Sequence, residues 1–410
     1  MKNRLAALIL ITAAALTLTG CWNRRDPENL ALVLATAFDY NNETQKYKVI
    51  AQMANPIAMG GEDGGQTAGG EKKPYWTVSA DGSASHQAMR NLTLKVSREF
   101  FWAHNRVFVF SESVARNGIY PIMDMSARER QLRASAHVAV VEGDINILME
   151  SEFPLEESGA MGIDRQIATI IYERSLFPEK TLNELYSTLS QPGVEMFIGR
   201  VKVITVSDTT AGGEEGAGTS ETPTAAPPIL IGGGALFKGD RMVGWANEQE
   251  TIGWAYASDR VFRSMLYIKD PVDNKTPIGI DIENLESRMH PESGTEGLRI
   301  IVDIKAKGHL HDIPVDRDLT LESGYIKSLE QRSAQEIRNA VHSTIDLSRR
   351  TESDIIGFGN LIYRKQPRLW DEIGDRWYEV FKDIEIDVRV NMNIRRTGLI
   401  ASPLAAEKRR

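Results

Sequence analysis

Alternation of apolar and polar positions is cleanest near the C-terminal end. Ile384, Ile386, Val388, Val390, Met392 and Ile394 stand opposite Glu385, Asp387, Arg389, Asn391, Asn393 and Arg395. A period of two predicts a strand with one face on a core and one in water, as antiparallel sheets allow. Ile300, Val302, Ile304 and Ala306 predict a second such strand. Between them, Ile337, Val341 and Ile345 recur every four residues in the polar stretch from about Gly324 to Arg350. That spacing predicts an amphipathic helix lying on the sheet. Trp370, Ile373, Trp377 and Phe381 predict one face of a further helix. In the N-terminal half, Tyr47, Val49, Ala51 and Met53 read as a half-buried strand. Ala84, Ala88, Leu92 and Val96 read as a helix face. Val107 to Phe110, Ala136 to Val141 and Val201 to Val206 read as strands. The mixture predicts an α+β fold with mostly antiparallel sheets, each packed with helices.

Two stretches interrupt these patterns. Gly60 to Gly70 is glycine-rich and reads as a loop within a domain. Asp208 to Pro228 has no aromatic residue, Leu, Ile, Val or Met. Such a segment buries too little surface to offset its ordering entropy, so it reads as a linker or long surface loop. The expected division is a signal segment over 1–20, an N-terminal α+β domain over 21–207 and a linker over 208–228. A small central domain with a hairpin over 229–275 and a C-terminal α+β domain over 276–410 complete it. "GGGALFKG", Gly232 to Gly239, has a lysine but no Ser or Thr after it, which a phosphate loop requires. It is followed by "RMVGWA" and reads as a hairpin turning at Gly239-Asp240.

The amino terminus changes the picture most. Lys2 and Arg4 precede an apolar run from Leu5 to Leu18, 14 residues long. A membrane-spanning helix needs about 20, so the run reads as a secretion signal. It ends at Leu18-Thr19-Gly20-Cys21, which resembles the bacterial lipobox. That resemblance implies cleavage before Cys21 and a diacylglyceryl group on its thiol. One acyl chain binds a membrane only marginally, at about 0.8 kcal/mol per buried methylene, whereas two give stable anchoring. Cys21 is the only cysteine in 410 residues. Disulfides, thiol catalysis and cysteine metal ligation therefore fall away.

Composition adds exclusions. The chain is 42% hydrophobic and 25% charged, as expected of a globular body. Loss of Lys2 and Arg4 takes the net charge from −8 to −10, which argues against nucleic-acid binding. His309 and His311 share a strand face with Asp303, Lys305 and Lys307. A zinc site wants three or four ligands, so this reads as a polar surface. Trp370, Trp377, Tyr378 and Phe381 read as a core face before a sugar-stacking platform. Arg128, Arg130 and Arg133 read as a solvated helix face, and the terminal "EKRR" as a solubilising end. No nucleophile elbow, zinc-binding histidine pair or dinucleotide fingerprint is present, so neither catalytic residues, cofactor nor metal are assigned.

Four ordered blocks carry a family resemblance. "GCWNRRDPENLALVLATAFDY", from Gly20, resembles the start of the Ger(x)C spore-germination lipoproteins. Phe100 to Arg133, "FFWAHNRVFVFSESVARNGIYPIMDMSARERQLR", looks like their N-terminal signature. Gly232 to Trp245 is similar to their central hairpin. Thr351 to Gly398 looks like their C-terminal signature, with Asp354, Gly357, Phe358, Gly359, Trp370 and Trp377 in place. Pro27 and His311-Asp312 depart from the usual pattern. The resemblance implies three α+β domains without catalytic activity. It also implies a lipid-anchored C subunit of a nutrient germinant receptor, on the outer surface of the spore inner membrane. The implied partners are an A-type subunit with soluble and membrane parts and a permease-like B-type subunit. A lipid-anchored extracytoplasmic solute-binding protein is the alternative, although no paired βαβ lobes are visible. A cell-wall enzyme is a third class.

Overall fold

The computed structural model describes residues 3–6, 26–55, 58, 73–204, 229–294, 297–312 and 323–395. Cys21, the glycine-rich stretch, the 208–228 segment and the terminal "EKRR" lie outside them.

The fold is α+β, with two sheets packed by helices. The larger sheet holds β1 (Leu30–Asn41), β2 (Lys46–Ala54), β3 (Tyr75–Gly82), β4 (Glu99–Phe101), β5 (Val107–Ser111), β6 (His137–Glu142), β7 (Phe197–Val203), β8 (Ile229–Lys238) and β9 (Arg241–Ala246). Its order is β3-β2-β1-β5-β6-β7-β8-β9, with β4 beside the start of β1. The centre, β1-β5-β6-β7, is parallel, and antiparallel pairs flank it on both sides.

That centre explains the unbroken apolar runs of β5 and β6. Phe108, Phe110, Val138 and Val140 enter one core, while Val107, Val109, Ala139 and Val141 enter the other. Strands buried on both faces lose the polar alternation. The first core is closed by α1 (Ser85–Asn91), α2 (Glu112–Asn117), α3 (Tyr120–Arg128) and α6 (Leu182–Leu189). The second is closed by α4 (Ile145–Glu150) and α5 (Gly159–Arg174). The expected helix face from Ala84 to Val96 ends early: α1 stops at Asn91 and a 3-10 turn, Leu92–Leu94, follows. Arg128 closes α3 and pairs with Asp124 at 3.0 Å, while Arg130 and Arg133 lie beyond the helix, exposed.

The hairpin β8–β9 turns at Gly239-Asp240, with Lys238 opposite Arg241 and Gly239 at φ +61°. A residue without Cβ takes that left-handed conformation without strain. Through β8 against β7, the hairpin extends the large sheet.

The smaller sheet has the order β10-β11-β12-β13, from β10 (Ser264–Lys269), β11 (Pro277–Gly294), β12 (Gly297–Asp312) and β13 (Glu385–Arg395). The predicted alternation holds in β13: Ile386, Val388, Met392 and Ile394 are buried, and Glu385, Arg389, Asn391 and Asn393 are exposed. Its partner differs from the expectation, because β12 and β13 run parallel. The return path is supplied by the long helix α8 (Ser323–Thr351), which buries Ile337, Val341 and Ile345 against the sheet.

Helix α7 (Glu248–Ala257) lies across α8. A Cβ on Gly253 would stand 2.1 Å from the Ala340 carbonyl oxygen, so only glycine permits this approach. The face predicted for Trp370 to Phe381 is divided between α10 (Pro367–Ile373) and α11 (Trp377–Asp383), joined by a 3-10 turn at Gly374–Arg376. Helix α9 (Phe358–Lys365) precedes them. This third core also takes in Phe197, Leu236 and Ala246 of the large sheet, so apolar packing is continuous between the two sheets.

Candidate functional site

The C-terminal signature residues converge on the seam between the two sheets. After α8 the chain turns through Glu352, Ser353 and Asp354 before entering α9. Ser353 Oγ donates to the Phe237 carbonyl, and the Trp254 indole N–H donates to the Ile355 carbonyl at 3.0 Å. Asp354 is fully buried. Its Oδ1 accepts the N–H groups of Gly357 and Phe358 at 2.8 and 3.1 Å. Its Oδ2 accepts those of Gly359 and the Trp377 indole at 2.8 and 3.2 Å. Burial pushes the carboxyl up to about 6, against the pull of these four donors.

The seam closes over this carboxylate. Glu195 N–H donates to the Asp354 carbonyl at 3.0 Å, and Asn360 N–H donates to the Gly193 carbonyl at 2.7 Å. The Asn360 amide also donates to the Pro192 carbonyl at 3.0 Å. Gly193, at φ +70°, and Gly359 meet so closely that a Cβ on Gly359 would lie 2.8 Å from the Gly193 oxygen. Glu195 accepts the Gly239 N–H at the hairpin turn and the Tyr378 hydroxyl from α11. Burial raises the Glu195 carboxyl above its ordinary value and raises the Tyr378 hydroxyl as well. At the surface, Glu352 bridges Lys238 of the hairpin and Lys382 of α11 at 2.6 and 2.7 Å, which hold its carboxyl down at about 2.

Every polar group here is spent on holding chain to chain. Asp354, Glu195 and Glu352 fasten the hairpin and the 192–195 segment to α9 and α11. Beside them an open cleft of about 550 Å³ is lined by Pro192, Glu195, Trp370, Asp371, Asp375 and Tyr378. The four aromatic residues are divided: Trp377 and Phe381 are buried, Tyr378 is taken by Glu195, and Trp370 is half-buried. A row of contacting rings runs from Tyr363 through Trp370 and Trp377 to Phe381 and Phe358. Trp377, Phe381 and Phe358 act as core, whereas Trp370 is shared with the cleft and Tyr363 is exposed.

The other sequence candidates lie elsewhere. His309 is half-buried and contacts Glu283, while His311 is exposed. Among the described residues no group of three or more His, Cys, Asp or Glu is placed to hold a metal. No described helix is long and apolar enough to cross a membrane. Pro27 opens a 3-10 turn, Pro27–Asn29, just before β1. Glu195, Gly193 and Glu352 were not signalled by the sequence as a site. For Gly193 and Glu195 the local hint is the Pro192-Gly193 turn pair, while Glu352 lies inside the Thr351 to Gly398 signature without standing out there.

The model of the spore germination protein N-terminal domain matches residues 23–203, and that of the spore germination B3/GerAC-like C-terminal domain matches residues 232–398. The chain belongs to the Ger(x)C family. Spore germination protein KC of Bacillus subtilis is 22% identical over 98% of both chains. Spore germination protein YndF of the same species is 25% identical, again over 98% of each. The crystal structure of the GerBC protein has the same fold, with a TM-score of 0.54 at 15% identity, covering 88% of this chain and 96% of its own. The first Ger(x)C model ends with β7 at residue 203 and the second begins at residue 232, within β8. The hairpin therefore counts with the C-terminal model, yet completes the N-terminal sheet.

Proposed function

We propose that this chain is the lipid-anchored, non-catalytic C subunit of a nutrient germinant receptor. It is held by Cys21 at the extracytoplasmic face of the spore inner membrane and works with A-type and B-type membrane subunits. The observation that carries this reading is the family match along nearly the whole chain, starting directly behind a lipobox-like Leu-Thr-Gly-Cys. The seam supports a scaffolding role, because its carboxylates are occupied in joining parts of the body. Tethering confines that body to a thin layer at the membrane and raises its effective concentration toward membrane partners.

In spores carrying Cys21→Ala, the protein moves from the membrane to the soluble fraction and nutrient-triggered germination weakens. Normal germination with the variant still membrane-bound overturns the anchoring. Calorimetry of the isolated body with amino acids and sugars tests the solute-binding alternative, which tight binding would favour.

A further inference from the structure

The part of the large sheet near where the chain enters from Cys21 carries large apolar side chains that the protein leaves half or mostly uncovered. Leu94 is 83% exposed and Trp76 is 50% exposed, whereas large apolar side chains on neighbouring strands are buried. Trp76 belongs to this entry end, and Leu94 ends a turn that packs on the same edge strand, β3. Val33, near the start of β1, pairs with Met53, and Met53 pairs with Trp76. At about 4.8 Å per strand, Trp76 lies roughly 10 Å from Val33. The turn Leu92–Leu94 packs against β3, and Lys95 Nζ donates to the Ser79 carbonyl of that strand at 2.6 Å. The chain then runs into β4, where Glu99 stands beside Leu30, the first residue of β1.

Two further observations select the occupant. Leu30 lies nine residue steps after Cys21, a reach of at most about 30 Å, so a lipid on Cys21 keeps this end near the headgroups. Residues 90–99 carry Arg90, Lys95 and Arg98 against the single acid Glu99, in a chain of net charge −8. Local positive charge next to an exposed tryptophan and leucine suits an anionic interface, where Trp settles at headgroup depth.

We infer that the Trp76–Leu94 end of the large sheet is a second membrane contact, which seats the tethered body on an anionic phospholipid surface. The inference rests on the membrane-tethered reading and adds an orientation to it. Lipid on Cys21 sets distance, and this contact sets which side of the body faces away from the bilayer.

The test uses the mature chain with Cys21→Ser, so that no acyl group contributes. It is sedimented with vesicles of phosphatidylcholine alone, or mixed with phosphatidylglycerol. The expected result is partition onto the anionic vesicles that weakens as salt rises. Leu94→Asp and Trp76→Ser each lower it by roughly five- to tenfold, the effect of withdrawing one large apolar side chain from the interface. Val272→Asp, at a comparably exposed apolar position in the C-terminal half, leaves partition unchanged. Equal sedimentation of all variants, or none with either vesicle, overturns the inference. Leu94 and Val272 are largely exposed and Trp76 is half exposed, so circular dichroism checks that each variant keeps the fold before sedimentation. Because the protein carries no lipid, failure here is distinct from failure of anchoring, which shows as unmodified Cys21 in protein from spores.

Discussion

The Trp377 indole N–H and the Asp354 carboxylate meet at 3.2 Å inside the seam, with both side chains buried. The pair links the turn after α8 to the start of α11. Three backbone N–H groups complete the ring of donors around the carboxylate. A buried charge with four donors is costly to alter, because each donor left without an acceptor loses its hydration for nothing.

Asp354→Asn keeps the shape but turns an NH2 group toward N–H donors. It should destabilise the protein by about 2–4 kcal/mol at neutral pH. The pH dependence has a definite sign. The folded carboxyl is raised from 3.8 to about 6, so its contribution to stability is full below 3.8 and is lost as pH rises through about 6. The loss is about 3 kcal/mol over that window. Urea midpoints of wild type and variant, compared between about pH 4 and pH 7, should therefore converge as pH rises. An advantage of the wild type that grows with pH contradicts this.

Gly359→Ala should separate the seam. Its Cβ would sit 2.8 Å from the Gly193 oxygen and 2.9 Å from Trp377 Cε2, both fixed by packing. A cost of about 1–3 kcal/mol follows from such overpacking. Gly294→Ala, at the open tip of the β11–β12 hairpin, meets nothing within 4 Å and should change the melting temperature little.

Glu352→Gln removes the charge shared by Lys238 and Lys382. Thermal stability at low ionic strength should fall, and the difference from wild type should shrink in high salt, since all three groups are solvated. The wild-type contribution is present above the ordinary carboxylate value of 4.5 and disappears as pH falls through about 2.

Trp254→Phe leaves the Ile355 carbonyl without its indole donor and opens a gap beside Phe197, whose ring lies edge-on at 5.2 Å. A loss of about 1–3 kcal/mol is expected from chemical denaturation, from the missing bond and the gap together.

How much of this was legible depends on range. Strict alternation gave β12 and β13, and four-residue spacing gave α8, because each pattern is local. The direction of β13 was not legible, since one buried face fits a parallel or an antiparallel partner. Nor was the break at Gly374, because Trp370, Ile373, Trp377 and Phe381 keep helical spacing across the 3-10 turn. The seam was invisible for a different reason. Tyr378 and Glu195 are 183 residues apart, and Asn360 and Pro192 are 168 apart. Asp354, Gly357 and Gly359 stood out as a motif, but their partners lie in another block of the sequence.

The hairpin Ile229–Ala246 sits on one side of the chain's natural division and completes the sheet of the other. Exchange of C-terminal segments between members of the family at the 204–228 join would thus import a foreign pair of edge strands into the host's first sheet. A graft made after Ala246 would instead keep the sheet native and place the mismatches in the seam and in contacts such as those of Arg260 with Glu184 and of Arg263 with Glu173. Functional hybrids between paralogues should accordingly be recovered from the later crossover.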